Sequence, residues 1–206
     1  MKQPRLERTL ISLVCEVSLF PQSEHFFGKE KPVSGAYKIV VTGPFNSGKT
    51  AFVKTISDID VVTTERRLTS TERGVKALTT VAMDYGRVVL DGKTLHLYGT
   101  PGQARFDFMW EILAREMHGF IVLIDSTDPA SFPAAGELIS IFSAFHSVPY
   151  LLVANKTDLR DTLPLAQIRR DADISQTTTV IPCIAIQKAS VRQVLRHLIA
   201  LIDRAQ

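Results

Sequence analysis

Three things are scarce in this chain, and each scarcity closes off a class of protein. Only two of the 206 residues are cysteine, Cys15 and Cys183. They are too few and too far apart for a disulfide framework or a thiolate metal cluster. Cys183 lies in the apolar run Val180-Ile181-Pro182-Cys183-Ile184-Ala185-Ile186 and reads as a buried thiol. No apolar run approaches the roughly 18 residues of a membrane span, and Glu16 interrupts residues 10–20, so neither a spanning helix nor a secretory leader is expected. One-sided charge is scarce too: 24 Lys and Arg stand against 21 Asp and Glu, a net charge of +3. No block of like charge stands out, and a nucleic-acid footprint is not implied. Lys2 follows the first methionine and the chain ends Asp203-Arg204-Ala205-Gln206, so the usual myristoyl and prenyl signals are not expected either. The expected location is the cytoplasm, with peripheral membrane contact left open.

What remains is ordinary globular material, 45% hydrophobic and 22% charged, enough for one domain with a full core and an appendage. The appendage is residues 1–35. Leu10, Ile11, Leu13 and Val14 could form one helical face, but Pro21, Gly28, Pro32 and Gly35 interrupt the rest of the segment. A loosely docked arm or a partner- or membrane-binding helix would each fit. The main domain is residues 36–206.

The most informative stretch is Gly43-Pro44-Phe45-Asn46-Ser47-Gly48-Lys49-Thr50. It comes after the apolar run Tyr37–Thr42 and precedes Ala51-Phe52-Val53-Lys54-Thr55-Ile56. This is the phosphate-loop pattern in the strand-then-helix setting it requires. Glycines let consecutive N–H groups converge on phosphate at a helix start, where the dipole also favours negative charge. Gly43, Asn46, Ser47, Gly48 and Ala51 are the expected nucleotide-binding positions beside Lys49 and Thr50. Lys49 would reach the β- and γ-phosphates and Thr50 would hold Mg²⁺.

Residues 57–78 form a polar tract with no sustained apolar period and read as a long loop, of the kind that is functional or disordered. It ends at Thr79-Thr80, where a threonine just before a strand could close over the γ-phosphate and ligate Mg²⁺. Thr80 fits better than Thr79. Val81–Leu90, Asp91-Gly92 and Lys93–Tyr98 read as a hairpin, because Asp-Gly between strand-like runs is a tight-turn signal. In the next stretch, Gly99-Thr100-Pro101-Gly102-Gln103, Gly102 could offer an N–H to the γ-phosphate and Gln103 could orient an attacking water. A helix is expected over Phe106–Met117 and a buried strand over Phe120–Ile124. Asp125-Ser126-Thr127-Asp128-Pro129 ends that strand, and Asp125 reads as turn chemistry rather than a metal ligand.

A helix from Phe132 to Phe145 leads to the strand Pro149–Ala154 and then to Asn155-Lys156-Thr157-Asp158. The Asp158 carboxylate can accept from N1–H and the exocyclic amine of guanine, a donor pair that adenine lacks. Asn155 would tie loops together and the Lys156 stem would cover the ring. The chain closes with a strand over Thr179–Ala185 and a helix whose Val191, Val194, Leu195, Leu198, Ile199 and Ile202 share one face. Alternating strands and helices predict a three-layer α/β fold with a mostly parallel sheet and an antiparallel edge hairpin. All three motifs fall beyond the carboxyl ends of its strands, where ligands bind.

In that order the motifs resemble those of a Ras-superfamily small GTPase over residues 36–206. The run Leu95–Gln103 is most similar to the bacterial polarity GTPases of the MglA type, with Arf and signal-recognition-particle receptor β-subunits as more distant relatives. The resemblance implies a phosphate-loop NTPase fold with a six-stranded sheet, GTP, GDP and Mg²⁺ as ligands, and a switch read by activating and effector proteins. It implies Gln103 and Lys49 as catalytic residues, Thr50 and Thr80 at the metal, and the Ala185 N–H at the base. Two departures stand out. Gly99 replaces an aspartate that holds a water on Mg²⁺, which should loosen the metal. Ile184-Ala185-Ile186 replaces Ser-Ala-Lys, which should weaken guanine binding. None of Arg66, Arg67, Arg73 and Arg105 can be assigned as an arginine finger, so intrinsic hydrolysis is expected to be slow. A non-hydrolysing scaffold and an ATP-using kinase of phosphate-loop type are the competing readings, the latter opposed by Asp158.

Overall fold

A computed structural model describes residues 36–72, 75–101 and 108–206, with backbone alone over residues 64–82 and at residue 108. The expectations for residues 1–35 lie outside the described residues. Those residues form seven strands and five α-helices: β1 (Ala36–Thr42), α1 (Lys49–Ile56), β2 (Val62–Glu72), β3 (Val75–Leu90), β4 (Lys93–Gly99), α2 (Phe108–Ala114), β5 (Gly119–Asp125), α3 (Phe132–Phe145), β6 (Tyr150–Asn155), α4 (Leu165–Asp171), β7 (Val180–Pro182) and α5 (Lys188–Ala205).

The strand order is β2-β3-β4-β1-β5-β6-β7. β1 pairs in parallel with β4 and β5, and β6 pairs in parallel with β5 and β7. β3 runs antiparallel to both β2 and β4. This is a phosphate-loop GTPase type of α/β fold with seven strands rather than the expected six. The additional strand is β2, in a tract read from sequence as a loop. Its residues, Val-Thr-Thr-Glu-Arg-Arg-Leu-Thr-Ser-Thr-Glu, include β-formers but show no alternation. A ribbon at the sheet margin can pair its backbone without burying a face, and its charges suit an exposed edge. β3 accordingly begins at Val75, so Thr79 and Thr80 lie inside a strand, opposite Leu68 and Arg67, rather than ahead of one.

Every residue of β5 is buried, because helices cover both faces of the sheet centre. On one side Ile39, Val41, Ile121, Leu123, Leu151 and Val153 meet Phe52, Val53 and Ile56 of α1 and the expected stripe of α5. On the other, Phe142 of α3 packs against Phe120 and Trp110 with ring centroids 5.5 and 6.1 Å away. The β3–β4 turn has φ of 51° at Asp91 and 77° at Gly92, the two positive angles that favour a tight hairpin with native twist.

Differences from the sequence reading also arise at α2, β7 and α4. α2 stops at Ala114, just before Glu116 takes a left-handed φ of 57°, and residues 106–107 lie outside the described residues. β7 is only three residues long and ends at Pro182, which has no N–H to extend a ladder. α4 was not anticipated, since Ile168 is its sole buried residue and leaves no periodic signal. Cys183 is buried and free, as expected. No described helix is long and apolar enough to cross a membrane.

Phe142 is fully buried, so Phe142→Ala should cost about 3–5 kcal/mol, read as a lowered urea midpoint. Arg196→Ala, which breaks an exposed pair with Asp91, should leave that midpoint nearly unchanged.

Candidate functional site

The phosphate loop leaves β1 and turns into α1. A Cβ at Gly43 would stand 2.0 Å from the Leu123 carbonyl oxygen, and one at Gly48 would stand 2.3 Å from Asn155 Nδ2. Both positions therefore demand glycine, and Gly48 also sits at φ 98°. Asn46 adopts φ 62° and is exposed at the loop tip beside Phe45, whereas Ser47 is buried. Ala51 is half-buried in the first turn of α1. Lys49 folds back on the loop, its Nζ donating to the carbonyls of Gly43 (2.8 Å) and Pro44 (2.7 Å) and to Ser47 Oγ at 3.4 Å. Burial lowers the Lys49 pKa to about 8, and the Asp84 carboxylate only partly opposes this. An ammonium so placed gains from an arriving phosphate, which would restore the charge partner that burial withholds.

Asn155 joins the loops. Its Nδ2 donates to the Ser47 carbonyl at 2.9 Å, and its Oδ1 accepts the Ala185 N–H at 2.8 Å. One buried amide thus ties the phosphate loop to the Ile184–Ile186 loop. The Ala185 N–H, which the resemblance assigns to the base, is here donated to Asn155. Asp158 is exposed, with no side-chain partner among the described residues. Lys156 takes φ 63° and forms an ion pair with Asp125 Oδ2. Asp125 also accepts from the Thr127 N–H (3.0 Å) and Oγ1 (2.7 Å), so the expected turn chemistry is present alongside that ion pair. Burial pushes the Asp125 carboxyl up, but the bonds from Lys156 and Thr127 outweigh it and hold its pKa below the usual range.

Sequence reasoning missed Asp84. It lies on β3 directly opposite Gly99 of β4 and is 7% exposed. Its Oδ2 accepts from Thr50 Oγ1 at 2.5 Å and its Oδ1 from Thr63 Oγ1 at 2.9 Å. A Cβ at Gly99 would approach Asp84 Cβ to 3.2 Å, closer than cross-strand Cβ atoms normally stand. A second carboxylate would crowd and repel the first, so glycine at 99 and aspartate at 84 go together. The signal was an acidic residue within a strand-like run, legible only once the β3–β4 register is known. Thr100 Oγ1 donates to Thr42 Oγ1 at 2.9 Å and fixes the exit of β4 beside the phosphate loop. Gly102 and Gln103 lie outside the described residues. For Thr80 the backbone alone is described, within β3.

Among the described residues no cluster of three or more His, Cys, Asp or Glu could hold a metal unaided. Beside the phosphate loop the Thr50 hydroxyl and the Asp84 carboxylate are hard oxygen donors in reach of one another. They suit a small divalent cation that takes its other ligands from phosphate and water.

A family model described as "Conserved hypothetical ATP binding protein" matches residues 58–204, beginning after α1. The chain is 32% identical over 124 residues to an uncharacterized protein of Methanocaldococcus jannaschii, covering 60% of this chain and 72% of that one. It is 30% identical over 139 residues to human ADP-ribosylation factor-related protein 1, covering 65% of each. To ADP-ribosylation factor-like protein 3 of Saccharomyces cerevisiae it is 22% identical over 178 residues, covering 82% and 86%. The match thus spans less than two thirds of the human relative's length. Fold, loop and relatives together define a nucleotide-binding protein of a small-GTPase-like class. Within that class, the chain belongs to the family described as conserved hypothetical ATP binding protein.

Asn155→Ala would strand a buried donor and a buried acceptor at once. It should cost about 2–4 kcal/mol of stability without any ligand present, measured as a shift in the urea midpoint of the nucleotide-free protein.

Proposed function

We propose that this protein is a GTP-binding molecular switch that slowly hydrolyses GTP to GDP and whose two states are read by partner proteins. The observation that carries the reading is the Asn155 amide, which couples the phosphate loop to the Ile184–Ile186 loop from a segment that also carries Asp158. Phosphate grip and base selection then act on one ligand. The base is guanine in this reading because Asp158 presents a free carboxylate that guanine's two edge donors satisfy and adenine cannot. The run Leu95–Gln103 supports a place near the polarity GTPases of the MglA type.

Phosphates arriving at the loop would draw the Lys49 ammonium off the carbonyls of Gly43 and Pro44, and helix α1 would add its N-terminal dipole. Thr50 and Asp84 would hold Mg²⁺, with Thr80 completing the set if β3 releases it. The ion supplies charge neutralisation on the phosphate oxygens when bound. Asp84 would stand in for the carboxylate missing at Gly99, so the metal need not be loosened as the sequence implied. Gln103 would position the attacking water, and Lys49 with the loop amides would spread the charge on the transferred phosphoryl group. With no arginine assigned to the reacting phosphate, rapid hydrolysis waits on an activating partner, a contribution on the order of 10³ to 10⁵ in rate.

The description of the matching family favours a second reading, an adenine nucleotide at the same loop. Chromatography of the nucleotide released from freshly purified protein separates the two: GDP or GTP is expected, and ADP or ATP would overturn the guanine reading. In direct titration Asp158→Ala should weaken GDP about 10- to 100-fold while leaving ADP unchanged. Asp84→Ala should raise the Mg²⁺ concentration needed to slow GDP release by about 10- to 100-fold. An unchanged Mg²⁺ dependence would remove Asp84 from the metal site.

A further inference from the structure

We propose that Asp125 is a positioning residue for the nucleobase: by holding the Lys156 ammonium, it stretches that lysine's aliphatic stem into a fixed shelf on which the purine ring packs. The proposal rests on the guanine reading and adds a residue on a different strand. Asp125 is the last residue of β5 and pairs in register with Asn155, the last residue of β6. Lys156 is therefore the first residue beyond the sheet on the neighbouring strand, and its side chain reaches sideways across the strand ends to the carboxylate.

Two features make this more than a surface ion pair. The Asp125 side chain is only 9% exposed and that of Lys156 only 26%, so solvent competes weakly for either. The carboxylate is itself immobilised, since Oδ1 accepts both the N–H and the hydroxyl of Thr127, leaving Oδ2 aimed at the ammonium. At the other end the Lys156 backbone is clamped: its carbonyl accepts from the Leu159 N–H at 3.1 Å and from Thr162 Oγ1, also at 3.1 Å. A lysine fixed at both ends has already lost its rotamer freedom before any ligand arrives. A ring that packs on the stem then meets a preorganised apolar surface, and binding is tighter by the entropy not lost at that moment. An unanchored lysine would have to be ordered by the ligand.

A pair that merely braced the loop would change stability and leave nucleotide selection alone, so the test reads affinity for three probes on the full chain. Asp125→Asn keeps an acceptor for Thr127 but offers the ammonium no charge. It should bind GDP and IDP each about tenfold more weakly, with their ratio and the affinity for inorganic pyrophosphate unchanged. Lys156→Met keeps an apolar stem and loses the anchor, and should lose about the same factor alone. Adding Asp125→Asn to it should cost less than about twofold more, because the two substitutions remove one interaction. Three results would overturn the proposal: unchanged GDP affinity in Lys156→Met, an equal loss from Asp125→Asn in both backgrounds, or a shifted GDP-to-IDP ratio. A wild type that takes pyrophosphate but neither GDP nor IDP would overturn the nucleotide reading itself, and this proposal with it.

Discussion

The Asn155 side chain is the joint on which the arrangement of the site depends. Its two hydrogen bonds reach residues 108 positions before it and 30 after it, so one planar amide bridges two loops far apart in the chain. The geometry works only because Gly48 has no Cβ to fill the space where Nδ2 approaches. A nucleotide is a rigid-ended ligand, and a site that grips both ends gains from having that separation built in. The sheet provides the same service at lower resolution: β1, β5 and β6 lie side by side in parallel, so their carboxyl ends deliver the phosphate loop, Asp125 and Asn155 to one edge.

Across the sheet a second constraint concerns charge. The Gly99 position looks like a loss when the strand is read alone, and the β3–β4 register turns it into an exchange. Asp84 fills the space that a side chain at 99 would need, and Thr50 and Thr63 satisfy both of its oxygens. A buried carboxylate without such donors would be costly. Its neighbour Lys49, whose charge is itself weakened by burial, adds a compensating field. A side chain at position 99 would crowd Asp84, so glycine there leaves room for the carboxylate on the neighbouring strand.

Sequence reading succeeded where structure is set by short-range pattern. The phosphate loop is contiguous, α3 and α5 carry strong apolar periods, β5 is a continuous buried run, and Asp91-Gly92 dictates its own turn. It failed where the information is relational. The sequence of β2, Val62–Glu72, carries no apolar alternation to detect. α4 buries one residue. Asp84 acquires meaning only from the strand opposite, and the partner of Asp125 lies 31 residues away, adjacent only because β5 and β6 pair in parallel. Asp125 could be read as a turn former from its immediate neighbours, and it is one, yet half of its carboxylate answers to another strand.

In the proposed function one guanine nucleotide spans the phosphate loop and the Asp158 edge. The most direct test is calorimetric titration of the nucleotide-free full chain with GDP and with ADP at saturating Mg²⁺. One-site binding of GDP at least about tenfold tighter than of ADP is expected, a margin that one charge-assisted hydrogen bond can supply. Equal affinities, tighter ADP binding, or no heat with either ligand would contradict the guanine reading.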